Sequence, residues 1–492
     1  MASQVTVRPV IANDWAYLSR VVVLGLMILC VAGLILGPAH RMFLHVPREY
    51  NEGWNAYHAL AAVTGGTLYP ATDSLIINNY PPLSFLVVGG IGKLFGDNII
   101  AGRVVSLICL LWVALSIFQL ARRFGAERYF GLFAAVLFLL YTGINATDYI
   151  IMNDPEWLGH ALTTYGAVLF FSAPVSAAPR RSKILSGAFC VAGLFVKPSL
   201  VILPAALFIY ALICDRRGLL AWLASSMIIG IAALTCATMS YGMAFLHDVF
   251  GHARVLSSHR LLVNGIHFFM PLTPLIVMAT LNCVIAWQEN SSRFIVIYLV
   301  MATGLGLFFL SGQGCDQNVL FDLMICTFLG VGLLAQRVTL LLADNARRFA
   351  PAAICFAIAA ICLPNLPQAA LTTADFIRTD HADSAKYQTV IGELTAARGP
   401  VACELLSLCY WAGKSFEIDF FNYGQKLKKR RVTATLLTSR FDSGYYAYVE
   451  TTGLPDSDSE TSGYLGPDIA QHISAHYRPV DTVGQATLLA PR

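Results

Sequence analysis

From residue 16 to residue 366 the chain consists largely of apolar blocks, most of them long enough to cross the roughly 30 Å hydrocarbon core of a bilayer as a helix. No other feature restricts the fold as strongly. Lipid offers no water to a backbone amide, so a spanning segment must pair its own N–H and C=O groups, and a helix does this within one segment. The blocks lie at 16–37, 100–121, 129–145, 157–173, 184–197, 199–214, 218–240, 265–287, 293–311, 319–336 and 350–366 and predict a mainly α, polytopic bundle of about eleven spans. The composition is 57% hydrophobic and 13% charged, with a mean hydropathy of +0.63, which excludes an ordinary soluble globular domain. A formal charge of +4 says little about partners, because placement matters more than the sum, and no nucleic-acid partner is expected.

Basic clusters set the orientation. Arg8 and Arg20 at the first block place the N-terminus in the cytoplasm, and Arg122-Arg123, Arg180-Arg181-Lys183, Arg216-Arg217, Arg293 and Arg337 to Arg348 fall at inner turns. Residues 81–96 are apolar but short, broken by Gly89-Gly90 and Gly92; as a span they would turn Arg122-Arg123 outward, so they predict a helix lying at the outer interface. Residues 40–99 then form a large external loop, and an odd span count puts the C-terminus outside. Without the short apolar core and small-residue cleavage site of a signal peptide, 16–37 reads as a retained anchor. Residues 1–371 are expected to be the membrane domain. Residues 372–492 lose the apolar blocks and mix a helical stretch at 384–397 with apolar or alternating runs at 400–404, 445–449 and 487–490, which predicts a small extracytoplasmic α/β domain. The twelve cysteines show no metal-ligand spacing; Cys403 and Cys409 pair only if their region faces an oxidising space, and they are expected to be free.

The external loop carries Glu49-Tyr50-Asn51-Glu52-Gly53-Trp54-Asn55, then Asn78-Asn79-Tyr80-Pro81-Pro82-Leu83-Ser84-Phe85, Gly92-Lys93-Leu94-Phe95-Gly96 and Arg103. An acidic loop followed by a Tyr-Pro-Pro helix and a long span resembles the first external loop of GT-C glycosyltransferases. The likeness is to the polyprenyl-phosphate-sugar branch, which includes protein O-mannosyltransferases and the aminoarabinose transferases of lipid A. It implies a bacterial inner-membrane enzyme that moves a sugar from a polyprenyl-phosphate carrier to an outer-face acceptor. Its partners would be that donor and membrane lipid; a divalent metal is left open. The usual Asp-Glu pair of the signature is Asn51-Glu52 here, which leaves Glu52 as the candidate base. A rival class is a transporter or flippase, which predicts paired half-repeats and broken helices at mid-membrane. No such symmetry is visible. A non-catalytic scaffold is a third reading, encouraged by Asn51.

Sugar transfer needs a base for the acceptor hydroxyl and cations for the departing phosphate; with inversion, one carboxylate suffices as base. Glu52 fits that role, against the plainer reading of an interfacial acid. Asp154 in Asn153-Asp154-Pro155-Glu156 is the second catalytic candidate, and it equally suits a helix N-cap. For substrate and phosphate binding the candidates are Asn51, Tyr80, Lys197, His252, Arg254, His259 and Arg260. Lys197 stands at an outer span end before Pro198. A Lys at membrane depth faces an anion or snorkels. Asn318 and Asp322, four apart on one helical face, are expected to line the pocket. The run Lys426 to Arg431 reads as a solvated helix face.

Overall fold

The computed structural model describes residues 11–172, 180–252, 254–343, 348–452 and 464–492, so Arg8 lies outside the described residues. In chain order the helices are α1 (Ile11–Arg41), α2 (Tyr50–Thr64), α3 (Leu83–Phe95), α4 (Asn98–Arg123), α5 (Arg128–Asn145), α6 (Glu156–Phe170), α7 (Arg180–Leu194), α8 (Ile202–Cys214), α9 (Arg216–Phe250), α10 (Ser258–Asn264), α11 (Thr273–Ile285), α12 (Asn290–Leu310), α13 (Phe321–Leu341), α14 (Ala350–Ala359) and α15 (Leu366–Ala396). Among the described residues, eight helical stretches are long and apolar enough to cross a membrane. The three other expected spans fall on α6, α7 and the stretch Pro198–Cys214. A helix of 15 residues, the length of α6 and of α7, reaches only about 22 Å. The count of eleven therefore stands as an expectation, with eight stretches meeting the length criterion.

Burial orders the bundle. The strongest apolar window of the stretch Gln317–Leu341 is 94% enclosed by protein, whereas that of α9 is 11% enclosed. α13 is thus the central helix and α9 a peripheral one, its Ile228, Ile231 and Met239 turned outward. α3 is an apolar helix of 13 residues that packs on α2 and α4, in line with an interfacial element rather than a span.

α15 continues for 31 residues through the boundary expected near 371. It is tied to the end of α1 by Arg41 Nε, 2.5 Å from the buried carboxylate of Asp380. Beyond it lie α16 (Leu406–Trp411), α17 (Phe420–Lys428), α18 (Thr435–Asp442) and α19 (Pro467–His476) with four strands, β1 (Val401–Cys403), β2 (Tyr448–Thr452), β3 (Tyr477–Val483) and β4 (Ala486–Pro491). The sheet order is β1-β2-β4-β3, with β1 and β2 parallel and the other pairs antiparallel. The alternating run at 445–449 is displaced from its expected strand. Tyr446 instead packs its ring against Phe441 in the core, its backbone N–H and C=O meet the Tyr477 hydroxyl, and pairing begins at Tyr448.

Two expectations are corrected here. Cys403 and Cys409 form a disulfide, bridging β1 to α16. Lys426 does not share the solvated face of its basic run. It is buried, its Nζ 3.1 Å from the Thr72 carbonyl and 3.7 Å from Asp248, while Lys429, Arg430 and Arg431 point out. Gly53 shows why the loop and this unit fit so closely: a Cβ there would lie 2.1 Å from the backbone nitrogen of Ser407, so α16 seats directly on the α2 backbone.

Candidate functional site

The acidic loop is fixed from below by one buried ion pair. Arg103 on α4 meets Glu52 in the first turn of α2 through two bonds, Nε to Oε1 at 2.8 Å and Nη2 to Oε2 at 2.7 Å. Its remaining donors reach the carbonyls of Leu44 and Val46, each at 2.8 Å. Glu52 also accepts from the backbone N–H groups of Arg48 and Asn153, both at 3.3 Å. Both side chains are 0% exposed. A fork-on-carboxylate pair of this kind holds geometry as well as charge. Glu52, expected as the base, therefore has no face on the cavity, because both of its oxygens are taken by the clamp that holds residues 41–52 against α4.

What the clamp positions is the cavity above it. A space of about 510 Å³ is walled by residues 47–51, by Asp148, Tyr149, Met152 and Asp154, by residues 197–199, by His252 and Arg254, and by residues 314–316, Asn318 and Val319, with Tyr80 and Asn422. Glu49, the extended residue before α2, faces into it. Burial, followed by the nearby carboxylates of Asp154 and Asp316, pushes the Glu49 carboxyl up to about 8, against hydrogen bonds from Asn51. Burial also raises Asp316, which lies 3.4 Å from the Tyr149 hydroxyl. Asp154 Oδ1 accepts from the Glu156 N–H at 2.8 Å, closing the start of α6. Burial and Glu156 hold its carboxyl above the ordinary range, and Lys197 pulls it down.

The cations divide into spent and free. Lys197 lines the cavity, but its Nζ lies 2.5 Å from Glu156 and 3.7 Å from Asp154, with the Tyr80 ring centroid 5.0 Å away. It neither snorkels nor stands open to an anion. Arg48 gives Nη2 to Asp148 at 2.8 Å, and its Nη1 has no partner among the described residues. Arg254 gives Nη1 to the Gln313 carbonyl at 2.8 Å and lies over Phe421 of α17. The C-terminal unit thus reaches the rim. A Cβ on Gly314, whose φ is +74°, would meet the Phe421 ring at 2.1 Å.

Beside the cavity runs an apolar groove of about 380 Å³ between α3, α7 and α9, lined among others by Leu83, Leu86, Val191, Phe195 and Ala233. The Leu83 N–H donates to the Phe195 carbonyl at 3.2 Å, so the groove ends at the two loops that deliver Tyr80 and Lys197 to the cavity.

Of the expected residues, Asn51, Tyr80, Asp154, Lys197, His252, Arg254 and Asn318 meet on the cavity wall. Burial, then Arg254, Lys426 and Arg431, pulls the His252 imidazole down to about 3. Asn318 donates to Glu156 at 3.1 Å. Asp322 is off the cavity, one turn deeper, bonded by the Tyr298 hydroxyl. His259 is exposed, and among the described residues the Arg260 side chain reaches the Cys315 carbonyl; neither lines the cavity. Glu49, Arg48 and Asp316 were missed. Glu49 stands inside the motif, two residues before the position the signature favours, whereas Arg48 and Asp316 carry no local signal. Among the described residues no group of three His, Cys, Asp or Glu side chains stands close enough to hold a metal ion.

The described residues thus form a multispanning helical bundle whose loops and C-terminal α/β unit enclose a charged cavity beside an apolar groove. The sequence profile of the dolichyl-phosphate-mannose-protein mannosyltransferase family matches residues 79–242. Among solved structures the chain is similar to ArnT from Cupriavidus metallidurans in its apo state, with a TM-score of 0.63 and 14% identity over 95% of this chain and 98% of that one. The same protein bound to undecaprenyl phosphate gives a TM-score of 0.62 at 14% identity, with the same coverage. The Archaeoglobus fulgidus oligosaccharyltransferase tethered to an acceptor peptide gives 0.56 at 11% identity, over 96% of this chain and 74% of that one. At such identities the likeness is one of fold. No curated protein matches the chain.

Proposed function

We propose that the protein transfers a sugar from a polyprenyl-phosphate carrier to an acceptor hydroxyl, in a bacterial inner membrane and on its outer face, with the N-terminus inside and the C-terminal unit outside. The observation that carries this reading is the meeting of the apolar groove with the charged cavity at Tyr80 and Lys197. An amphiphile with one phosphate between a long tail and a sugar fits that junction, with the tail in the groove and the phosphate at its mouth. ArnT with undecaprenyl phosphate bound shares the fold. The Cys403–Cys409 disulfide suits an oxidising compartment.

In this reading Glu49 is the base, with Asp154 as the alternative. A base works best with its pKa near the working pH, and about 8 is close to it. Glu49 takes the acceptor proton and the oxygen attacks the anomeric carbon. The bond from that carbon to the phosphate oxygen breaks, and the phosphate leaves with the electron pair. Arg48 and Arg254 stabilise the charge that grows on it; such fixed donors act mainly on the transition state. Asn51, which stands where the family signature has Asp, supplies an amide to Glu49, so the carboxylate is displaced by two residues and not lost. Glu52 and Arg103 are positioning residues.

The test is transfer itself. Protein in nanodiscs is given radiolabelled undecaprenyl-phosphate sugars together with an extract of envelope lipids and glycans. A labelled product that disappears with Glu49→Gln supports the reading. If the parent protein gives no product and binds no undecaprenyl phosphate, the reading fails.

A further inference from the structure

A second cavity, of about 400 Å³, lies on the far side of the wall that carries Asp148, Tyr149, Asp316 and Asn318. Thr147 and Gln317 face it, and the next residues along the chain, Asp148 and Asn318, face the first cavity. The two spaces therefore share the short turns Thr147–Ile150 and Gln317–Leu320 as a partition. Their linings differ in kind. The first has four carboxylates and four cationic side chains on its wall, whereas the second has no Asp, Glu, Lys or Arg among the described residues. Its polar groups are amides, hydroxyls and one imidazole: Asn145, Thr147, His267, Gln317, Asn365 and Gln368.

Several of these are unspent. The side chains of Gln317, Gln368 and His267 make no hydrogen bond among the described residues, and Asn365 uses only its NH₂, towards Asn145 at 3.3 Å. His267 and Phe268 stand edge to face at 4.6 Å on Gly265–Phe269, a π-helical turn, a local widening often found at ligand sites. Ile266, Met270, Leu363 and Leu371, close along the chain to the lining residues His267, Pro271, Asn365 and Thr372, are exposed by 55%, 60%, 40% and 66%, so apolar surface adjoins these segments. Free amides beside aromatic rings suit hydroxyl groups, which both donate and accept. A phosphate or carboxylate would find no countercharge here and would leave its own charge poorly solvated. Resting on the sugar-transfer reading above, we propose that this second cavity is the acceptor subsite and that it takes a lipid with an uncharged, hydroxyl-rich headgroup. Its tail lies along Ile266 and Met270, and its reactive hydroxyl passes the Tyr149–Asp316 wall towards Glu49.

The test uses a diazirine-bearing galactosyl diacylglycerol, with protein in phosphatidylcholine nanodiscs and peptide mapping after irradiation. Label is expected in 265–272 and 363–372. It should fall about tenfold in Gln368→Leu/His267→Leu, as for a site built to hydrogen-bond hydroxyls. Excess unlabelled galactosyl lipid should compete, and phosphatidic acid should not. In the same samples, undecaprenyl phosphate binding is read by native mass spectrometry and should be unchanged in the double variant. Retained donor binding without label at these segments overturns the acceptor subsite and leaves the sugar-transfer reading standing. Competition by phosphatidic acid equal to that by the galactosyl lipid also overturns it. Loss of donor binding in the parent protein strikes the sugar-transfer reading instead.

Discussion

Replacing Glu52 by Gln separates a clamp from a base. Glu52 is fully buried and receives two charged bonds from Arg103 at 2.8 and 2.7 Å. Gln keeps the shape but has one acceptor oxygen where the carboxylate had two, and its NH₂ then faces a guanidinium nitrogen. A buried cation left without its partner costs about 3–5 kcal/mol. Glu52→Gln should therefore lower the apparent Tm in detergent by several degrees, followed by tryptophan fluorescence. Turnover should fall along with it, because residues 41–52 carry Arg48 and Glu49. Arg103→Met removes the cation and also strips partners from the Leu44 and Val46 carbonyls, each bare carbonyl costing about 1–3 kcal/mol. The double variant Glu52→Gln/Arg103→Met should be little worse than the poorer single one, with a coupling energy of about 2–3 kcal/mol for groups in direct contact. If Glu52→Gln keeps the parent's apparent Tm within a degree and loses turnover alone, the clamp is refuted and Glu52 returns as the base.

The remaining predictions concern the cavity. Because the ionised form of Glu49 is the active base, turnover should rise with pH through about 8, and Glu49→Gln should remove at least about two orders of magnitude of rate and flatten the profile. The same group binds more protons folded than unfolded between its ordinary value of 4.5 and about 8, so stability should fall as pH rises through that window; apparent Tm at pH 9 should be higher for Glu49→Gln than for the parent, with the gap closing near pH 4. Lys197→Met should destabilise the fold by leaving Glu156 and Asp154 without their cation, whereas Arg48→Met should spare stability and cost about tenfold or more in turnover; the opposite pattern would make Lys197 the phosphate ligand. Gly314→Ala, through its clash with Phe421 and its positive φ, should loosen the C-terminal unit from the rim, read as faster proteolysis near residues 313–316 with the bundle intact.

The apolar blocks alone determined the helical bundle, because in lipid a helix pairs its backbone groups within one segment, and the short apolar helix at 83–95 followed from the same length argument. The loss of those blocks after residue 371 likewise announced a different kind of chain. Sequence also brought seven of the wall residues into view, since an Asp-Pro turn, a Lys beside a Pro or an Arg between apolar blocks is conspicuous in an apolar chain. It did not assign their duties. Whether a carboxylate is a base or a clamp depends on what faces it, and Glu52 faces Arg103, 51 residues away, while Glu49 faces open space. Lys197 shows the same limit: its charge is taken by Glu156, 41 residues earlier. Asn422 reaches the cavity, and Phe421 its rim at Gly314, because Gly53 and Gly314 leave room for α16 and α17 to settle on the loops. Ion pairing and close packing act through space at a few ångströms, between residues whose sequence separation carries no trace of the contact; only the tertiary structure decided them.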